Sequence, residues 1–216
     1  MDVGKAFSYV FEDKNWLVKL LIGGILLLIP IINFIPIGYA LTALRNVAEG
    51  RESPLPEWDD WGGYFKKGLM VFLAGLIYAL PIFILNGLNA GFAAIARVQE
   101  EGALATIAGL CAGLISCLIV IYGLAMSFWL YGPITLYALR GDFGSMFKVG
   151  EIFRYISTNL GNYFLAWILS LIASFVAFFG AILCVIGVIF TEFWAYLVWA
   201  HLLGQVWSLA PEKPGA

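Results

Sequence analysis

Apolar residues run through this chain in blocks too long for a soluble domain, and short polar stretches cut the blocks apart. At the start, Val3, Ala6, Phe7, Val10 and Phe11 recur at helical spacing, with Asp2, Lys5, Ser8 and Glu12 on the other face. That pattern predicts a helix lying along a membrane surface. Residues 16–44 are then apolar except for Lys19, Asn33 and Thr42. As one straight helix this run would measure ~43 Å, against a hydrocarbon core of ~30 Å. Pro30 and Pro36 each break an intrahelical bond, so a break near Asn33 is expected, giving a kinked span or a re-entrant hairpin.

The longest polar stretch follows, over residues 45–68. Pro54 and Pro56 predict a polyproline-like strap over 53–57, and Trp58 and Trp61 bracket Asp59 and Asp60. An indole has an apolar face and a wet N–H, which suits a segment at a membrane surface. Trp61, Tyr64, Phe65 and Leu69 form a second surface stripe leading into a span over about 68–88, closed by Asn86 and Asn89. Residues 90–103, with Arg97, Glu100 and Glu101, read as an external loop. The next apolar run, 104–139, exceeds one span and should bend near Gly132 and Pro133. Val149, Ile152, Phe153 and Ile156 make a third interfacial stripe opposed by Lys148, Glu151 and Arg154, and Asn159 is placed to cap the helix that follows. Residues 160–207 hold two spans that turn near Gly180 or Gly187, and 209–216 read as a disordered tail.

These elements predict an all-α polytopic membrane bundle. It has four full transmembrane helices, one broken or re-entrant hydrophobic run and three interfacial amphipathic helices, all in a single integral membrane domain, 1–208. A-L-T-A-L-R at 40–45 matches T-L-Y-A-L-R at 135–140, each ending a proline-bearing apolar run. The match marks either a parallel internal repeat, 16–88 and 104–182, or a coincidence in Leu/Ala-rich sequence.

Composition agrees. Hydrophobic residues make up 62% and charged residues 12%, about half the usual ~25%, and the mean hydropathy is +0.92. With a net charge of -2 and no basic cluster, nucleic acid is not an expected partner. Cys111, Cys117 and Cys184 sit in apolar runs and form no CxxC pair, and no cleavable leader is expected. If 16–44 folds back, nearly all Lys and Arg residues fall on one side and Arg97 on the other. A single crossing would spread them over both sides. The positive-inside rule therefore favours the hairpin, with loop 45–67 cytoplasmic in a multi-pass plasma-membrane protein.

Few residues could carry chemistry. A charged group inside a membrane costs on the order of 3 kcal/mol, so Glu192 calls for a reason. With the turn at Gly180 it lies deep, as a proton or cation site; with the turn at Gly187, the plainer reading, it opens the last helix near the interface. His201, the one histidine, lies ~180° around a helix from Glu192, so the two form no acid–base pair. His201 and Gln205 share a face. They either hydrogen-bond a neighbouring helix or make His201 an axial ligand to a haem or chlorin; no other cofactor and no metal centre is expected. Asn33 either lines a helix break that coordinates a solute or caps the broken helix. Ala105, Gly109 and Gly113, with Ala108, Ala112 and Ser116 beside them, and also Gly87 and Gly91, form small-residue faces for internal packing or a subunit contact. No catalytic triad, paired carboxylates or phosphate loop is present.

The segments F-S-Y-V-F-E-D-K-N-W, G-Y-A-L-T-A-L-R-N-V-A-E-G, L-P-E-W and Y-L-V-W-A-H-L-L-G-Q resemble the prokaryotic membrane proteins grouped as domain-of-unknown-function family 4013, over roughly residues 4–207. The resemblance implies a helical integral membrane protein and no catalytic residues to carry over. It marks Pro56, Glu57, Trp58, His201 and Gln205 as signature positions. The expected function is a non-enzymatic scaffold or accessory subunit packing in the lipid bilayer with other membrane proteins or with itself. The rivals are a small transporter or channel using Asn33 and Glu192, and a lipid-modifying enzyme using Glu57, Asp59 or Asp60 beneath the strap.

Overall fold

The computed structural model describes residues 1–98, 102–180 and 186–211, and among these the chain is helical with no strand. Among the described residues four helices are long and apolar enough to cross a membrane: Trp61–Val98, Ala103–Arg140, Leu160–Phe178 and Gly187–Ser208. The chain divides into two compact units, Met1–Phe72 with Tyr131–Ala216, and Leu73–Leu130.

The first unit opens with α1 (Val3–Ser8), whose Asp2 side chain accepts from the Lys5 amide at 2.9 Å, and a 3-10 turn at Tyr9–Glu12. The expected break in the first apolar run divides it into α2 (Trp16–Leu27) and α3 (Phe34–Ala48). Between them Ile31 takes φ 73, a left-handed conformation rare for a β-branched residue. At 1.5 Å per residue the two pieces measure only ~18 and ~22 Å, less than a bilayer core. Both pack on α9 (Ile186–Ser208). Gly23 and Gly24 of α2 face Phe193 and Phe190, so α2 runs antiparallel to α9, whereas Leu44 and Val47 of α3 meet Gly204 and bring the chain back. The run is therefore a fold-back hairpin.

The first turns of α4 (Trp61–Val98) cross α3 at very short range. A Cβ at Gly38 would overlap the Tyr64 carbonyl, and one at Gly68 would overlap that of Phe34. Only glycine permits this reciprocal backbone approach. The unit resumes with α6 (Tyr131–Arg140), a 3-10 turn at Phe143–Phe147, α7 (Val149–Thr158) and α8 (Leu160–Phe178). In α7 the expected interfacial stripe splits: Ile152 and Ile156 are buried in the core with Tyr155, while Val149 and Phe153 stay exposed. Asn159 does not cap α8. Its amide donates back to the Tyr155 carbonyl at 2.9 Å, because the turn between α7 and α8 aims the side chain at the preceding helix. The two similar hexapeptides end α3 and α6. In each a threonine hydroxyl donates four residues back, Thr42 to Gly38 and Thr135 to Tyr131, and the closing arginine pairs with a glutamate beyond, Arg45 with Glu49 and Arg140 with Glu151.

The second unit is the hairpin of α4 and α5 (Ala103–Trp129). The Tyr122 hydroxyl donates to the Tyr78 carbonyl at 2.8 Å, and Asn89 Nδ2 donates to Ser116 Oγ at 3.0 Å. Here the structure corrects the sequence. Asn86 and Asn89 do not end the helix, and α4 continues to Val98 through Pro81. Their amides find partners without ending the helix, Asn86 on the Ile82 carbonyl one turn back and Asn89 on the facing serine. The expected external loop is thus helical up to Val98, and Glu100 and Glu101 lie outside the described residues. So do residues 181–185 between α8 and α9, Cys184 among them, and residues 212–216; part of the region expected to hold the last turn lies there.

Candidate functional site

Two prolines close together leave carbonyls that no regular element can use. Over residues 54–57 the fold supplies a side-chain donor to each of four consecutive carbonyls. Asn46 Nδ2 reaches Pro54 at 2.9 Å, Lys19 Nζ reaches Leu55 at 3.5 Å, the Tyr39 hydroxyl reaches Pro56 at 2.7 Å, and the Tyr64 hydroxyl reaches Glu57 at 2.6 Å. The donors come from α2, α3 and α4, so the strap is fastened across the mouth of the fold-back hairpin. Trp58 completes the closure, its indole stacked on Tyr39 at 4.1 Å and packed near Phe193 of α9.

The electrostatic centre is Lys19, a residue the sequence presents only as an exception in an apolar run. It is 2% exposed, and its ammonium lies 2.8 Å from Asp13 Oδ2 and 2.7 Å from Glu57 Oε1. A buried ammonium persists only when its charge and its hydrogens are answered, and two carboxylates and a carbonyl do so here. The other strap acids are also engaged. Asp60 Oδ1 accepts from the Gly63 amide at 2.9 Å, and Asp59 Oδ1 lies 3.4 Å from the Tyr64 hydroxyl. Arg45 and Arg51 hydrogen-bond Glu49 and hold its carboxyl below the ordinary carboxylate range.

Beside the strap lie the last turns of α9. His201 and Gln205 share a face, as their spacing predicts. Gln205 Oε1 accepts from the Asp2 amide at 2.7 Å, while its Nε2 donates to the Asp2 carbonyl and to His201 Nδ1, each at 2.9 Å. With Nδ1 accepting, the imidazole carries its proton on Nε2. The Tyr9 ring lies 4.3 Å from the imidazole, and its hydroxyl donates to the Leu197 carbonyl at 2.9 Å. Burial pushes the Tyr9 phenol above its ordinary range. His201 and Gln205 line a cavity of about 360 Å³ together with Lys5, Glu12, Arg51 and Glu52. Tyr9, Val47, Pro54 and Leu55 complete the lining, so the cavity has a charged side and an apolar one.

Glu57, Trp58, His201 and Gln205 therefore gather at one end of the first unit, with Asp2, Tyr9, Lys19 and Tyr39 as the members that sequence reasoning missed. Asn33 and Glu192 lie elsewhere. Asn33 precedes α3 without capping it, and its buried Oδ1 has no hydrogen-bond partner among the described residues. Glu192 lies in the second turn of α9, half-buried and without a partner among the described residues.

No curated protein and no solved structure matches the chain. A family match covers residues 22–186, which takes in the hairpin from the middle of α2 onward and the L-P-E-W strap, and leaves out Lys19, His201 and Gln205. That stretch is most of the chain, and the protein belongs to the family described as Protein of unknown function (DUF4013).

Proposed function

We propose that this chain is a non-enzymatic integral membrane subunit that packs through its 73–130 hairpin against another membrane protein or a second copy of itself. The observation that carries this reading is the bareness of the hairpin. Phe83, Leu110, Leu114 and Ile121 are 60–68% exposed, and a Cβ built at Gly87, Gly91, Gly109 or Gly113 would meet nothing within 4 Å. Small residues at that spacing let a neighbouring helix approach to backbone contact, where lipid tails pack less closely. Asn86 adds an exposed amide oxygen to the same hairpin, a group that favours a helix partner over hydrocarbon. Arg45, Arg51, Lys66 and Lys67 support a cytoplasmic strap in a plasma-membrane protein.

Native mass spectrometry of protein extracted gently from its own membranes tests this. A fixed assembly is expected, and Gly109→Leu with Gly113→Leu should dissociate it. A stable monomer would sink the reading. The second reading, a small transporter or channel, is favoured by the side-chain oxygens of Asn33 and Glu192, which have no partner among the described residues. It requires proton-coupled flux in liposomes that Glu192→Gln abolishes.

A further inference from the structure

The first unit holds a second cavity, of about 260 Å³ and quite unlike the polar one. Its walls are Ala40 of α3, Val71 of α4, Ile134 of α6, and Ala195, Tyr196 and Trp199 of α9. Ser170 and Ser174 of α8 supply the few hydroxyls besides the tyrosines. An enclosed apolar cavity of ~150 Å³ already excludes water and takes up benzene, and a larger apolar slot among membrane-spanning helices suits hydrocarbon better than water.

Position along α9 says which hydrocarbon. Residues 192, 195, 196 and 199 fall on one helical stripe, so Glu192, which does not itself line the cavity, lies one turn from the lining Tyr196 on the same side of α9. The hydroxyl of Thr191 donates to the Ala177 carbonyl at 2.7 Å, which fixes α9 against α8 in this register. A half-buried carboxylate with no partner among the described residues, one turn beyond an apolar slot, suits one kind of ligand: a cation attached to a chain.

We propose that this slot binds a membrane lipid with a primary-ammonium head, the acyl chain in the cavity and the ammonium at Glu192. The site is separate from the polar cavity at His201 and independent of what the 73–130 hairpin docks against. No bond is made or broken; the site retains and positions the lipid.

The test is native mass spectrometry on delipidated protein offered phosphatidylethanolamine and phosphatidylglycerol of identical acyl chains. The expected result is one tightly held lipid per chain, with phosphatidylethanolamine preferred about tenfold, the value of one charge-assisted hydrogen bond. Glu192→Gln should erase the preference while a lipid is still retained. Ala195→Phe should fill the slot and lose both lipids, and Ala40→Leu provides a milder obstruction if the larger one prevents folding. Equal retention of the two lipids by the native chain, a preference that survives Glu192→Gln, or retention by a folded blocked variant would each overturn the proposal.

Discussion

Lys19 and Glu57 meet at 2.7 Å, one 2% exposed and the other with a side chain 65% exposed, so a single ion pair joins the interior of the hairpin to the water side of the strap. The two partners are unequal. Lys19→Ala leaves Asp13, itself only 10% exposed, facing a void and should cost about 3 kcal/mol, as removal of one partner of a buried pair does. Glu57→Gln should cost under about 1 kcal/mol, since an exposed carboxylate is screened and Asp13 remains. Thermal unfolding of the two variants in the same detergent measures the difference, and equal losses would contradict the asymmetry.

Trp58 is the plug of the strap. Trp58→Ala removes its stack on Tyr39 and should cost about 3–5 kcal/mol. Tyr39→Phe keeps the ring and loses only the bond to the Pro56 carbonyl, about 1–2 kcal/mol. Tryptic cleavage after Arg51 should speed up far more in the first variant than in the second.

Backbone contact between α3 and α4 makes a sharper test. Gly38→Ala places a methyl group on the Tyr64 carbonyl and should destabilise by about 1–3 kcal/mol or more. Gly62→Ala, also in α4 but with open space around it, should stabilise by about 0.5–1 kcal/mol. Opposite shifts in melting temperature are the expected pattern.

The clamp on Glu49 predicts how the strap responds to acid. Its hydrogen bonds to Arg45 and Arg51 lower its carboxyl from 4.5, so the folded state gains from them above that value. The gain is lost as pH falls through the lowered one. Urea resistance followed by tryptophan fluorescence should be flat from pH 7 to about 5 and decline below 4.5, by no more than a surface ion pair contributes. Glu49→Gln should remove that part of the decline.

Sidedness follows from α4. One apolar helix separates residue 53 from residue 103, so Ser53→Cys and Ala103→Cys should label from opposite faces of the membrane once the native cysteines are replaced by alanine. Labelling of both from one face would contradict a crossing by α4.

Much of this was legible in the sequence, because prolines and charges act locally. Pro30 and Pro36 announce the break at Asn33, Pro54 and Pro56 announce the strap, and the clustering of cations favours the fold-back. The length of α4 was hidden because Asn86 and Asn89 resemble helix ends, yet an amide that reaches back to Ile82 or across to Ser116 costs the helix nothing. The membership of the site was hidden for another reason. Periodicity places Lys19 within an apolar run and His201 on a helix face, but nothing local says that Lys19 meets the strap or that His201 meets Tyr9. Such pairings depend on which helices become neighbours. The one available signal was a lysine stranded one turn inside an apolar run, too costly to be there alone.

The clasp between Gln205 and Asp2 also bears on the order of assembly. Asp2 bonds to Gln205, and α1 and α2 both rest on α9, a helix that leaves the ribosome well after them. Until then Gly23 and Gly24 lack the rings of Phe193 and Phe190, and Asp2 lacks its amide. α1 and α2 are thus made early and docked late. Chains arrested before residue 186 should keep α1 and α2 open to protease, and extension past residue 208 should close them in a single step.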